Sequence, residues 1–117
     1  MKHEIRDLGK FKVIHIIGNI DSSEGTKILD TEIGRLIRAG HLHFVFNLRK
    51  TTFLDSGGIS LFIHCLCDVQ EQRGSMYIIA EENQVRRVLE IVGINRLIKT
   101  YYSEKEFNDE QLEGKPE

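Results

Sequence analysis

Five short runs rich in β-branched and aromatic residues, separated by stretches whose apolar residues recur at helical spacing, constrain this chain more than any other feature. Ile5 marks the first run, followed by "FKVIHII" (11–17), "HFVFNL" (43–48), "SMYIIA" (75–80) and "LIKTYY" (97–102). "LGK" (8–10) reads as a turn, so the first two strands form a hairpin, and Gly18 is expected to end the second. Asp21, Ser22 and Ser23 then offer N-cap oxygens to a helix whose Ile28, Leu29, Ile33, Leu36 and Ile37 share one side, up to Gly40 at a C′ position. From Gly57 to Arg73, the residues Ile59, Phe62, Ile63, Leu66 and Val69 give a second helix with one buried stripe, closed by Gly74. Val85, Val88, Leu89 and Val92 mark a third that stops at Gly93, and Ser103 with Glu106 has capping-box spacing for a short fourth. Single helices crossing between successive strands require a partly parallel sheet. The expectation is therefore an α/β fold with a mixed sheet of four to five strands and about four helices. "HFVFNL", apolar throughout, belongs in the centre.

A chain of 117 residues with 40% apolar and 29% charged residues suits one globular domain, placed at residues 3–110. "NDEQLEGKPE" (108–117) is polar and nearly free of apolar anchors, so it is expected to fray, with 111–117 as a disordered tail. A net charge of −2 with scattered basic residues argues against nucleic acid as a partner. No apolar run approaches the roughly 18 residues that span a bilayer, and the N-terminus lacks a signal-peptide core. A cytoplasmic protein without membrane contact is expected. Cys65 and Cys67 are too close in a helix to bridge each other, which fits a reducing compartment, and His41 with His43 has no metal-ligand set around it. No cofactor is implied.

Chemistry concentrates at "TTFLDSGGIS" (51–60), a strand-to-helix turn of the kind where α/β sheets place their sites. Ser56 stands near the N-cap of the second helix, where a hydroxyl caps free N–H groups, and where an anion or a phosphoryl group on the serine is tolerated equally. The glycines that follow allow another backbone or a ligand to approach. A nucleophile elbow needs glycine two residues before the serine, where Leu54 stands, and neither a Walker loop nor a dinucleotide fingerprint is present. At 100° per residue Leu61 points away from the stripe of Ile59, Phe62, Leu66 and Val69. With Cys65 it is expected to form an exposed apolar spot beside Ser56, either an incidental leucine or a partner contact. Asp21 is a candidate cap of the first helix, and Arg86 with Arg87 reads as a solvated helix face.

"FNLRKTTFLDSGGISLF" followed by "GSMYIIAEENQVRRVLEIVGINRLI" resembles the STAS domain of bacterial anti-sigma-factor antagonists, from about Ile5 to Phe107. Gly18, Asn19, Ile20 and Asp21 resemble the family's turn before the first helix, and Asp55 to Ile59 its Asp-Ser-Ser-Gly-Leu. The resemblance implies that Ser56, directly after the aspartate, is a phosphoacceptor and not a catalyst. It further implies a partner surface at this turn, taken as Asp21, Asp55, Ser56, Gly57 and Gly58, to which the angular reading adds Leu61. The unphosphorylated form would bind an anti-sigma factor with a serine-kinase fold, freeing a sigma factor; phosphorylation would end binding, and a PP2C-type phosphatase would restore it. Gly57 departs from the pattern, standing where a second serine is usual, as does Ser60 where glycine is common. Rival readings are a STAS subunit of another assembly, such as a stressosome or transporter accessory, and a small-molecule or nucleotide-binding module. The protein is expected to be a monomer or a weak dimer.

Overall fold

The computed structural model describes residues 1–113. Two strands, β1 (Lys2–Leu8) and β2 (Phe11–Ile20), open the chain as an antiparallel hairpin. Gly9 at φ +59 takes the first position of the two-residue turn, as a II′ turn requires, and Lys10 the second. After α1 (Glu24–Arg38), β3 (His43–Asn47) runs parallel beside β2, and β4 (Thr51–Leu54) pairs with the far end of β2. Next come α2 (Ser56–Glu71), β5 (Ser75–Ile79), α3 (Gln84–Val92), α4 (Ile94–Leu97), β6 (Thr100–Tyr101) and α5 (Glu104–Asn108). The sheet order is β1-β2-β3-β5-β6, with β3 central and every pairing parallel except the hairpin. The expected α/β architecture with its opening hairpin and mixed sheet is therefore present, with six strands in place of four to five.

Alternation along the strands divides the core between two faces. Ile14, Ile16, Phe44, Phe46 and Ile78 point to the helix side, where Leu29 and Ile33 of α1, Phe62 and Val69 of α2 and Leu89 of α3 meet them. Phe11, Val13, Val45, Ile79 and Tyr101 point to the other side, which Phe107 of α5 covers. Burying a large side chain of this kind stabilises by roughly 1.5–3 kcal/mol. Within the polar segment, Asp109–Glu113 form a π-helical turn, with Glu110 accepting from the Tyr101 hydroxyl (2.8 Å) and Gln111 donating to it (2.9 Å). The rest of the proposed tail, 114–117, lies outside the described residues.

Several local readings differ from expectation, among them Ile28 and Val92, which belong to the apolar patterns of α1 and α3 but are exposed. Gly18 does not end β2: at φ +97 it carries a bulge in the β2–β4 register, and the strand continues to Ile20. The left-handed residue after α2 is Arg73 (φ 62), whereas Gly74 is required because a Cβ there would stand 2.1 Å from the Leu42 carbonyl oxygen. Residues 94–97 wind into α4, so the last strand shrinks to Thr100–Tyr101. Arg86 is not solvated. It is 5% exposed, donates to the carbonyls of Ala80 (2.5 Å) and Tyr101 (3.3 Å), pairs with Glu90 (3.2 Å), and lies 3.4 Å from the Tyr102 ring centroid. Its planar fork joins the carboxyl ends of β5 and β6 to α3. Arg87 is exposed, as expected.

Candidate functional site

The turn at 55–58 is built by one carboxylate and two missing side chains. Asp55, in extended conformation, is the N-cap of α2, and its Oδ1 accepts from the N–H groups of Gly57 (2.8 Å) and Gly58 (3.3 Å). The cap is thus Asp55 and not Ser56, for which capping is one of the expected roles. Ser56 is the first residue inside the helix, is exposed, and its hydroxyl makes no hydrogen bond among the described residues. Its carbonyl accepts from the Ser60 hydroxyl (3.0 Å).

Both glycines are imposed by packing. A Cβ on Gly57 would lie 2.7 Å from the Ser22 nitrogen and 2.9 Å from the Asp21 carbonyl carbon. A Cβ on Gly58 would lie 2.5 Å from both the Ile20 oxygen and Leu54 Cδ1. The β2–α1 turn therefore rests directly on the first turn of α2, bringing Asp21 beside Gly57, as the resemblance implied, together with Ser22. Asp21 is not the cap of α1. That position is Ser23, which makes no side-chain cap bond, while Asp21 Oδ1 accepts from the Ser23 N–H (2.9 Å) and braces the turn. Hydrogen bonds from Ser23 hold the Asp21 carboxyl below its ordinary value, so it is an anion at neutral pH.

Leu61 and Cys65 are not exposed: they are 3% and 1% accessible, within the core. The angular reading failed because it gave α2 a single neighbour, the sheet. In fact α1 packs along the flank of α2, so a second line of contacts widens the buried arc. The two helices border a groove of about 410 Å³ lined by Asp21, Thr26, Asp30, Gly57, Leu61 and His64, with His64 reaching Asp30 at 3.1 Å. Burial pushes the Cys65 thiol up to about 12, which makes it inert, whereas Cys67 is exposed. Sequence reasoning missed Phe53, 49% exposed and the exposed apolar residue nearest Ser56 in sequence. No period-2 pattern could have signalled it, because Thr51 and Leu54 are buried while Thr52 and Phe53 are both exposed.

The sequence-family model of the STAS domain matches residues 2–107. Among solved structures, an anti-sigma factor antagonist from Mycobacterium paratuberculosis is similar, at 20% identity over 87% of this chain and 86% of that one, with a TM-score of 0.75. The anti-sigma factor antagonist SpoIIAA in its unphosphorylated form shares 18% identity over 82% and 97% of the two chains, with a TM-score of 0.65. The Bacillus cell fate determinant SpoIIAA in its phosphorylated form shares 16% over 92% and 97%, with a TM-score of 0.72. At these identities the likeness is one of fold. Among the described residues no helix is long and apolar enough to cross a membrane.

Proposed function

Since this chain belongs to the STAS-domain family, we propose that it is an anti-sigma-factor antagonist switched by phosphorylation of Ser56. The observation that supports this is the state of the Ser56 hydroxyl. Asp55 occupies the cap donors, so the serine is left exposed and unbonded at the first position of α2. A kinase loses no intramolecular bond in reaching it. In this reading the unphosphorylated protein binds an anti-sigma factor of serine-kinase fold, and a PP2C-type phosphatase resets the switch. The docking surface comprises Asp21, Asp55, Ser56 and the backbone of Gly57. Leu61 and Gly58, both buried, are withdrawn from it.

Phosphate adds about −1.5 to −2 charge at neutral pH. Against a partner surface shaped for a hydroxyl, that charge is desolvated among unfavourable neighbours, at a cost of several kcal/mol. A cost of about 3–4 kcal/mol lowers affinity two to three decades. The test is incubation with the candidate anti-sigma kinase and labelled ATP, peptide mapping of the label, and calorimetry of both forms. Label on Ser56 with binding weakened at least about 100-fold is expected. Label elsewhere sinks the site, and a phosphoprotein that binds as tightly as before sinks the switch.

A further inference from the structure

The free edge of β1 matches itself. Among the described residues β1 pairs only with β2, in continuous register over seven residues without proline or bulge. Such an edge is a template for another strand unless it is blocked. Leu8 and Phe11 close a two-residue turn, so they exchange both backbone hydrogen bonds. Counting back by alternation, Glu4 and Arg6 also bond toward β2, which leaves the N–H and C=O groups of His3, Ile5 and Asp7 pointing outward.

We infer that β1 pairs antiparallel with β1 of a second copy of this chain about a two-fold axis at Ile5, joining the two sheets edge to edge. In that register Glu4 faces Arg6 of the second copy, His3 faces Asp7, and Ile5 meets its own equivalent; the outward groups of three residues on each strand are all satisfied. Shifted registers fail on charge or overlap. Centring on Glu4, Arg6 or Asp7 sets like charges against each other, and centring on His3 leaves only five residues of each chain overlapped. The participating side chains are already held in place: His3 by Glu32 (2.7 Å), Asp7 by Lys12 (2.5 Å) and Arg6 by Glu104 and His15. Glu4 has no ion-pair partner among the described residues, so the second copy's Arg6 supplies the missing one. Ile28 of α1, 55% exposed, borders a hollow with Met1, Lys2 and His3 beside this edge and adds apolar surface on the same flank. The interface is isologous and small, so the dimer is weak.

Sedimentation equilibrium of the full chain from about 5 to 500 µM tests this, a range suited to a low-area interface. The mass is expected to rise from 13.5 kDa toward twice that value. Glu4→Arg and Arg6→Glu each put like charges across both contacts and should weaken the dimer about tenfold or more. Mixing the two variants should restore it, because only the mixed pair sets opposite charges at both contacts; a loss caused by a damaged fold would not be rescued. A wild-type chain that stays at 13.5 kDa throughout overturns the inference, as do single variants that dimerise like wild type or a mixture no tighter than either alone.

Discussion

Gly57→Ala and Gly34→Ala make the same chemical change in two helices and should have opposite effects. Helix propensity favours alanine over glycine by about 0.8–1 kcal/mol in a helix interior, and somewhat less in a first turn. At Gly34 in α1 a new Cβ would meet only the Arg38 guanidinium at 3.3 Å, the far end of a flexible side chain. That variant should gain up to about 1 kcal/mol. At Gly57 the Cβ would stand 2.7 Å from the Ser22 nitrogen, with the Asp21 carbonyl carbon and Ser22 Cβ both at 2.9 Å. Backbone atoms of the β2–α1 turn must then move, and overpacking of this kind costs about 1–3 kcal/mol. Subtracting the propensity gain leaves a net loss of up to about 2 kcal/mol, so the two variants should differ by roughly the whole steric cost. Thermal unfolding followed by circular dichroism reads this directly, since 1 kcal/mol moves Tm by roughly 4–8 °C in a domain slightly smaller than this one. If both variants raise Tm equally, the turn does not rest on α2. The steric reason for glycine in place of the family's usual second serine would then be wrong.

Three further outcomes follow from the same geometry. Leu61→Ala should cost about 2–5 kcal/mol in urea unfolding, because it opens a cavity between α1 and α2; a loss below about 1 kcal/mol would return Leu61 to the surface. Asp55→Ala should cost about 1 kcal/mol through the lost cap, while Ser56→Ala stays within about 0.5 kcal/mol, and the reverse order would make Ser56 the cap. Burial, with Arg6 a further cause for His15, holds the imidazoles of His15 and His43 below the ordinary 6.5. Unfolding therefore takes up protons there: their contribution to stability is intact above about pH 6.5 and declines as pH falls through that value. Replacing both by glutamine should flatten that part of a stability-pH curve, and an unchanged slope would refute the assignment.

What was legible in the sequence is what a single element specifies for itself. The strand runs, the hairpin turn at Gly9 and the left-handed Gly93 that ends α3 depend on local sterics and periodicity, and all three are present. What was hidden depends on neighbours. The strand before Asp55 was legible as part of a strand-to-helix turn, but the place of β4 beside Gly18–Ile20, more than thirty residues upstream, was not. Leu61 and Cys65 are buried because α1 lies beside α2, which no wheel drawn for one helix contains. Arg86 looked like any surface arginine of an amphipathic helix; its partners, the carbonyls of Ala80, Thr100 and Tyr101, exist only once β5 and β6 lie side by side. Gly74 was misread for a related reason, whereas the close backbone approach expected at Gly57 and Gly58 is present. Positive φ is a local property and can be guessed, whereas Gly57, Gly58 and Gly74 are required by atoms from distant segments.

The placement of the cap decides how a phosphate on Ser56 would act. Had the serine been the N-cap, its oxygen would accept from the helix N–H groups, and modification would break that bond and loosen α2. With Asp55 in that role, the oxygen of Ser56 is outside the cap network, and modification leaves the two Asp55 bonds in place. The new charge then meets two opposing local influences. The positive end of the α2 dipole favours an anion by about 0.3–1 kcal/mol. The Asp55 carboxylate, one residue away, and the ionised Asp21 of the adjoining turn oppose it by an amount that exposure to water keeps small. These nearly cancel within the protein, so the fold is expected to be the same in both states. The full cost of the phosphate then falls on whatever surface covers Ser56. On this reasoning Ser56→Glu should leave Tm within a few degrees of wild type while weakening partner binding, and a large fall in Tm would show that α2 itself is the switch.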